Sequence, residues 1–169
     1  MKIGTKSLLI GAHQFIIHPV CVAIAWNRLY GFPKDIRLWC AFFLHDIGYF
    51  GCSNIDGLEG KKHPYLGANI ISYLFDRYNY AWFQFSVLHS GYIANIYGME
   101  ASKLCAADKL AFCVHPKWLY LTGCTLSGEI NEYLINAKEN GGYIFTSKRE
   151  WHKRIYLHML RKTVKTKQA

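Results

Sequence analysis

The chain has 169 residues, with 20 Lys+Arg against 11 Asp+Glu and a formal net charge of +9. A content of 51% hydrophobic and 18% charged residues excludes a disordered chain, and the length fits one domain with a sizeable core. Residues 147–169 hold eight of the basic residues (Lys148, Arg149, Lys153, Arg154, Arg161, Lys162, Lys165, Lys167) and one acid, Glu150; this net +7 leaves +2 for residues 1–146 and excludes a histone-type binder that is basic all over.

Helical periodicity dominates and strand alternation is scarce, so an all-α single domain, 1–169, of about six to seven helices is expected. A first helix is predicted from about His13 to Tyr30, with Val22, Ala25 and Leu29 following His18 on one face. Gly31-Phe32-Pro33 breaks it, and a second runs from Asp35 to about Ile47 with Ile36, Cys40, Phe43 and Ile47 on one stripe. A loop with Gly51, Gly57 and Gly60 leads to a third helix, which opens at His63-Pro64, where proline suits the first helical position, and ends near Tyr78. A fourth is predicted over about 82–97, a fifth over 102–114 and a sixth over 126–137. After Gly141-Gly142, Ser147-Lys148-Arg149-Glu150 reads as a capping box that opens a basic last helix, about 147–165.

Residues 7–27 and 78–99 contain no Asp, Glu, Lys or Arg, and each stretch is long enough to span a bilayer. Lys2 and Lys6 precede the first in the manner of a signal peptide. His13, Gln14, His18 and Pro19 in the first, and Asn79, Gln84, Ser86, His89, Ser90 and Asn95 in the second, are costly in hydrocarbon. Both therefore read as buried helices, and no membrane partner is expected. Cys21, Cys40, Cys52, Cys105, Cys113 and Cys124 form no Cys-x-x-Cys pair and several sit in apolar runs, which predicts free thiols and a cytoplasmic location.

Phe42-Phe43-Leu44-His45-Asp46-Ile47-Gly48 places a carboxylate beside an imidazole at the end of an apolar helix. Burying that charge without a strong partner is expensive, and a divalent cation is such a partner. Twelve residues separate His18 from Tyr30 and twelve separate Pro33 from His45, about 18 Å of helix each way. An antiparallel hairpin then returns His18 and His45 to one level, while His13 overshoots by about 8 Å and stands in reserve. Asp108 lies on a helical stripe with Cys105, Phe112 and His115, and Lys109 points elsewhere, so a simple i,i+4 ion pair does not account for it.

His18, His45, Asp46 and Asp108 resemble the H…HD…D signature of the HD-domain superfamily of metal-dependent phosphohydrolases, over more than half the chain. Lys62-His63-Pro64-Tyr65-Leu66-Gly67 is similar to the His-Pro-x-x-Gly element of the dinuclear HD-GYP branch, and Val87-Leu88-His89-Ser90 stands where dinuclear members carry another histidine. The resemblance implies a helical bundle of the HD-domain type. It also implies that His63 and His89 hold a second metal, with Asp46 bridging the pair. The rest of the GYP signature is missing, so cyclic-dinucleotide specificity is not implied. His115, His152 and His158 read as ordinary core or surface residues.

Such a donor set suits one or two divalent transition metals per chain: Mn, Fe, Co, Ni or Zn. These would acidify a water that Asp46, the expected catalytic residue, accepts a proton from or orients. Lys62 and Lys109 are the cations expected to receive an anionic substrate, with Lys61 and Arg28 behind them; Tyr49, Phe50 or Trp118 could stack on a nucleobase. The expected function is hydrolysis of a phosphorylated small molecule, foremost a nucleotide, by a nucleotidase, a nucleoside-triphosphate phosphohydrolase or a phosphodiesterase. The alternatives are a di-iron oxygenase of the same superfamily, or a nucleic-acid-binding protein with a structural metal and a basic C-terminal helix. The aromatic content and the apolar sixth-helix region suggest a homo-oligomer. Trp151, Ile155, Met159 and Leu160 are expected to pack the last helix on the bundle, its cations drawing anions towards the metals.

Overall fold

Helix accounts for all the regular structure among the residues that the computed structural model describes, 1–77 and 79–168, with side chains through Arg161. The side chains of Lys162, Lys165 and Lys167, and Tyr78 at the expected end of the third helix, lie outside the described residues. The elements are α1 (Ile3–Ile10), α2 (Ile17–Tyr30), α3 (Ile36–Leu44), α4 (Pro64–Phe75), α5 (Ala81–Val87), α6 (Gly91–Ile96), α7 (Lys103–Val114), α8 (Lys117–Ser127), α9 (Glu129–Gly141) and α10 (Lys148–Gln168). Two 3-10 turns, Ile47–Tyr49 and Gly60–Lys62, follow α3 and precede α4. The all-α class holds, with ten helices rather than six or seven.

Local chemistry explains the extra boundaries. The first predicted helix begins later than His13 because the Gln14 side chain accepts from the backbone N–H groups of Ile16 and Ile17, taking the donors that a continuing helix would use. The predicted fourth helix is two, since Ser90 accepts from the Ile93 N–H and caps a new start. α4 stops at Phe75 because the Asp76 carboxylate turns away to accept from Trp82 N–H and Phe83 N–H at 2.9 and 2.8 Å. Gly128, at φ +91°, closes α8 in the left-handed conformation and opens α9, so the expected element over 126–137 straddles a boundary. At α10 the capping box is displaced by one residue: Ser147 Oγ accepts from Glu150 N–H, and Glu150 reaches back to Thr146 N–H.

α2 lies against α7, α4 against α3 and α5, and α10 against α7 and α8. Val22, Ala25, Ala41, Phe42, Ile71, Leu104, Ala107 and Ala111 form the main core, as the periodicity of α2 predicts. The stripe of α3 is rotated from expectation. Ile36 is 69% exposed while Ala41 and Phe42 are buried, because this rotation is the one that carries His45 inward. Trp151 and Ile155 of α10 pack with Tyr120, Leu121 and Cys124 of α8, and Leu160 reaches the main core. No helix among the described residues is long and apolar enough to cross a membrane. The six cysteines are free.

Candidate metal centre

Five elements deliver the six expected ligands to one place. His18 stands in the first turn of α2, and His45 and Asp46 follow the last turn of α3, so the start of one helix meets the end of the other. His18 Nε2 lies 3.2 Å from His45 Nε2, as the hairpin arithmetic requires. Asp108, from the middle of α7, brings Oδ1 to 3.1 Å from His18 Nε2 and 3.8 Å from His45 Nε2. His63 enters at the start of α4 and His89 just after α5, with their Nε2 atoms 3.0 Å apart.

Asp46 divides the set. Its Oδ2 is 3.1 Å from His45 Nε2 and 3.3 Å from His18 Nε2, while its Oδ1 is 3.3 Å from His63 Nε2 and 3.6 Å from His89 Nε2. Donor atoms of His18, His45 and Asp108 lie within 4.8 Å of one another, as do those of His45, Asp46 and His89.

Three of the imidazoles are anchored in the same way. His45 Nδ1 lies 2.9 Å from Phe42 O, His63 Nδ1 2.7 Å from Gly60 O, and His89 Nδ1 2.5 Å from Ser86 O. A carbonyl can only accept, so each Nδ1 carries the proton and donates it. Each carbonyl lies three residues before its histidine, and those of Gly60 and Ser86 also accept that histidine's backbone N–H. The bond to Nδ1 aims Nε2 forward, the arrangement that fixes the tautomer of a metal-ligating histidine. The Nε2 lone pairs then converge on Asp46, whose Oδ2 is buried and accepts no hydrogen bond. An acceptor-rich hollow around an orphaned carboxylate oxygen is unfavourable without a cation. The residues fit a divalent metal.

Without a cation, protons must serve instead. Burial pushes the Asp46 carboxyl up, but the charges of His45 and His13 outweigh it and hold the carboxyl well below the usual carboxylate range. Asp108 is lowered too, its contacts with His18 and His45 overcoming burial. Burial pulls the His18 and His45 imidazoles down, and the carboxylates of Asp108 and Asp46 raise both above the ordinary value. His63 moves the other way, because burial outweighs its contact with Asp46.

His13, the reserve ligand, is committed elsewhere. Glu129, fully buried, accepts from Ala12 N–H at 2.6 Å, Ser127 Oγ at 2.7 Å, Ser7 Oγ at 2.9 Å and Tyr133 OH at 3.0 Å. The single Ser7 hydroxyl proton goes to Glu129, so Ser7 Oγ accepts from His13 Nδ1 at 2.8 Å, and His13 Nδ1 is 3.5 Å from the carboxylate. A cavity of about 170 Å³ beside the centre is lined by His13, His18, Asp108, Lys109, His115 and others. Lys109 is therefore at the cavity, half-buried, while Lys62 is exposed. Tyr49 stacks on His63 at 4.1 Å and 14°, and so supports that imidazole ring. Phe50 and Trp118 are exposed, at 70% and 72%.

Sequence reasoning missed Ser7, Glu129 and the cavity role of His115. Glu129 lies more than a hundred residues from its partners Ser7 and Ala12, and no periodicity marks it. No protein-family model, curated protein or solved structure matches the chain.

Proposed function

We propose that this chain is a metal-dependent phosphohydrolase acting on a phosphorylated small molecule, foremost a nucleotide. The observation that carries the reading is the division of Asp46: each carboxylate oxygen faces a different pair of imidazole Nε2 atoms. His18, His45, Asp46 and Asp108 would hold one divalent transition metal, and His63 and His89, with Asp46 shared, a second. Bound there, such a metal supplies Lewis acidity and lowers the pKa of a coordinated water towards about 7.

The remaining work falls to the chain. Asp46 would accept the attacking water's proton, and Asp108 would orient that water. The adjoining cavity, bordered by His13 and Lys109, would receive the negative charge of a phosphoryl group. Burial keeps bulk water from screening these charges. The cavity, about 170 Å³, is smaller than the roughly 300 Å³ at which pockets begin to engulf a drug-sized ligand. It accommodates a phosphoryl-sized group, which leaves the nucleoside portion of a nucleotide outside.

The test is metal analysis of the purified protein, followed by a screen of nucleotides and phosphate esters with Mn, Co, Ni and Fe. Phosphate, pyrophosphate and nucleoside products are scored separately. At least one transition metal per chain is expected, lost in His45→Ala and Asp46→Ala, with turnover that follows the metal. A protein that binds none of these metals and releases no phosphate with any of them overturns the reading. Iron with oxygen uptake and no phosphate release redirects it to oxygenase chemistry.

A further inference from the structure

A second hollow, of about 540 Å³, lies where the first turns of α8 and α10 come together. It is lined by Lys117, Trp118, Leu121, Thr122, Lys148 and Arg149, none of which contributes to the metal centre. Three of these six residues are cations and none is an acid. Lys148 Nζ donates to Thr125 Oγ1 at 2.9 Å, which ties its ammonium to α8.

Two features distinguish this patch from the general positive charge of the chain. Trp118, at its rim, is 72% exposed, whereas Trp151 of α10 is buried at 5%. In addition, α8 begins after Pro116 with no side-chain cap, so its first-turn N–H groups and the positive end of its dipole add to the cations. The first turn of α10, by contrast, is occupied by its own Ser147 and Glu150 contacts. Exposed cations continue along α10 at Lys153 and Arg154, the latter over the Tyr143 ring at 3.8 Å.

The indole decides between anionic partners. An acidic peptide would engage the cations and leave Trp118 wet. A single strand with unpaired bases uses both, because a base stacks on an aromatic face while its phosphates track a basic groove. We propose that this cleft binds single-stranded nucleic acid, with a base on Trp118 and phosphates on Lys117, Lys148 and Arg149. The site is separate from the metal centre, so it stands or falls independently of the phosphohydrolase reading.

Binding of a fluorescent single strand of about 12 nucleotides to the full-length protein, followed by anisotropy in chelator, tests this. Affinity is expected to fall with salt at a log–log slope of about −2, for three phosphates neutralised. Trp118→Ala weakens binding about ten-fold. Joint replacement of Lys117, Lys148 and Arg149 by alanine abolishes the salt-dependent part. All four cleft residues are exposed, so these variants should keep the wild-type melting temperature. Three results would overturn the proposal: unchanged affinity in Trp118→Ala, displacement of the strand by ATP at the strand's own dissociation constant, or a loss confined to glutamine variants of Lys162, Lys165 and Lys167.

Discussion

Gly48 and His63 are in backbone contact: a Cβ on Gly48 would overlap the carbonyl oxygen of His63. The same holds one turn further along α4, where a Cβ on Gly67 would overlap the carbonyl oxygen of Leu44. Two hydrogen-only surfaces thus let the end of α3 meet the start of α4, which sets the distance between Asp46 and His63. Gly48→Ala and Gly67→Ala must push the segments apart, at a cost of about 1–3 kcal/mol. Displacing His63 should also weaken metal binding, by about ten-fold or more. Thermal melting and metal titration of the two variants check both effects; unchanged metal affinity in a destabilised Gly48→Ala would show that this contact does not position His63.

Metal uptake should be proton-linked. In the metal-free protein the carboxylates of Asp46 and Asp108 raise His18 and His45 above the ordinary imidazole value of 6.5. A metal must displace those protons to use the Nε2 atoms, so affinity should rise with pH above neutrality. Calorimetry in two buffers of different ionisation enthalpy should reveal protons released on binding. Uptake that is independent of buffer and pH between 6.5 and 8 would contradict this linkage.

The all-α class and the approach of His18 to His45 were legible in local periodicity and spacing, whereas His63 and His89 entered only through the resemblance. His18 and His45 meet because α2 and α3 fold back on each other, which brings the start of one to the end of the other, and Pro64 opens its helix wherever the chain goes. The rotation of α3 was not legible, since its apolar residues permit several faces and only the burial of His45 selects one. Glu129 was hidden for a different reason: its donors arrive from α1, the following turn, the end of α8 and α9, and only tertiary packing joins them. Lys62 and Lys109 look alike in the sequence, yet one is exposed and the other borders the cavity, a difference set by which turn of which helix faces Asp108.

Lys109 should therefore act on substrate rather than on metal. Removing its ammonium in Lys109→Ala takes away a charge-assisted contact with a phosphoryl group, and KM should rise about ten-fold. Metal content should stay at the wild-type value. A parallel fall in metal content would show that Lys109 supports the ligands instead. Lys62→Ala is expected to leave both quantities unchanged.

Glu129 and His13 should give the chelated protein a pH-dependent stability with two limbs. Burial pushes the Glu129 carboxyl up, but its contact with His13 and the donors from Ala12 and Ser127 bring it down from 4.5 to about 2. Its stabilisation is full above 4.5 and is lost as pH falls towards about 2. Burial pulls His13 down, yet the charge of Asp46 and the contact with Glu129 raise it from 6.5 to about 9. That contribution is full below 6.5 and disappears as pH rises through about 9. The melting temperature should peak between 4.5 and 6.5, and His13→Gln should flatten the alkaline limb. Glu129→Gln confronts the hydroxyl and amide donors with an NH₂ group and should cost about 1–3 kcal/mol at every pH. An alkaline limb that persists unchanged in His13→Gln would assign it to another group, with His18 and His45 the first to test by the same substitution.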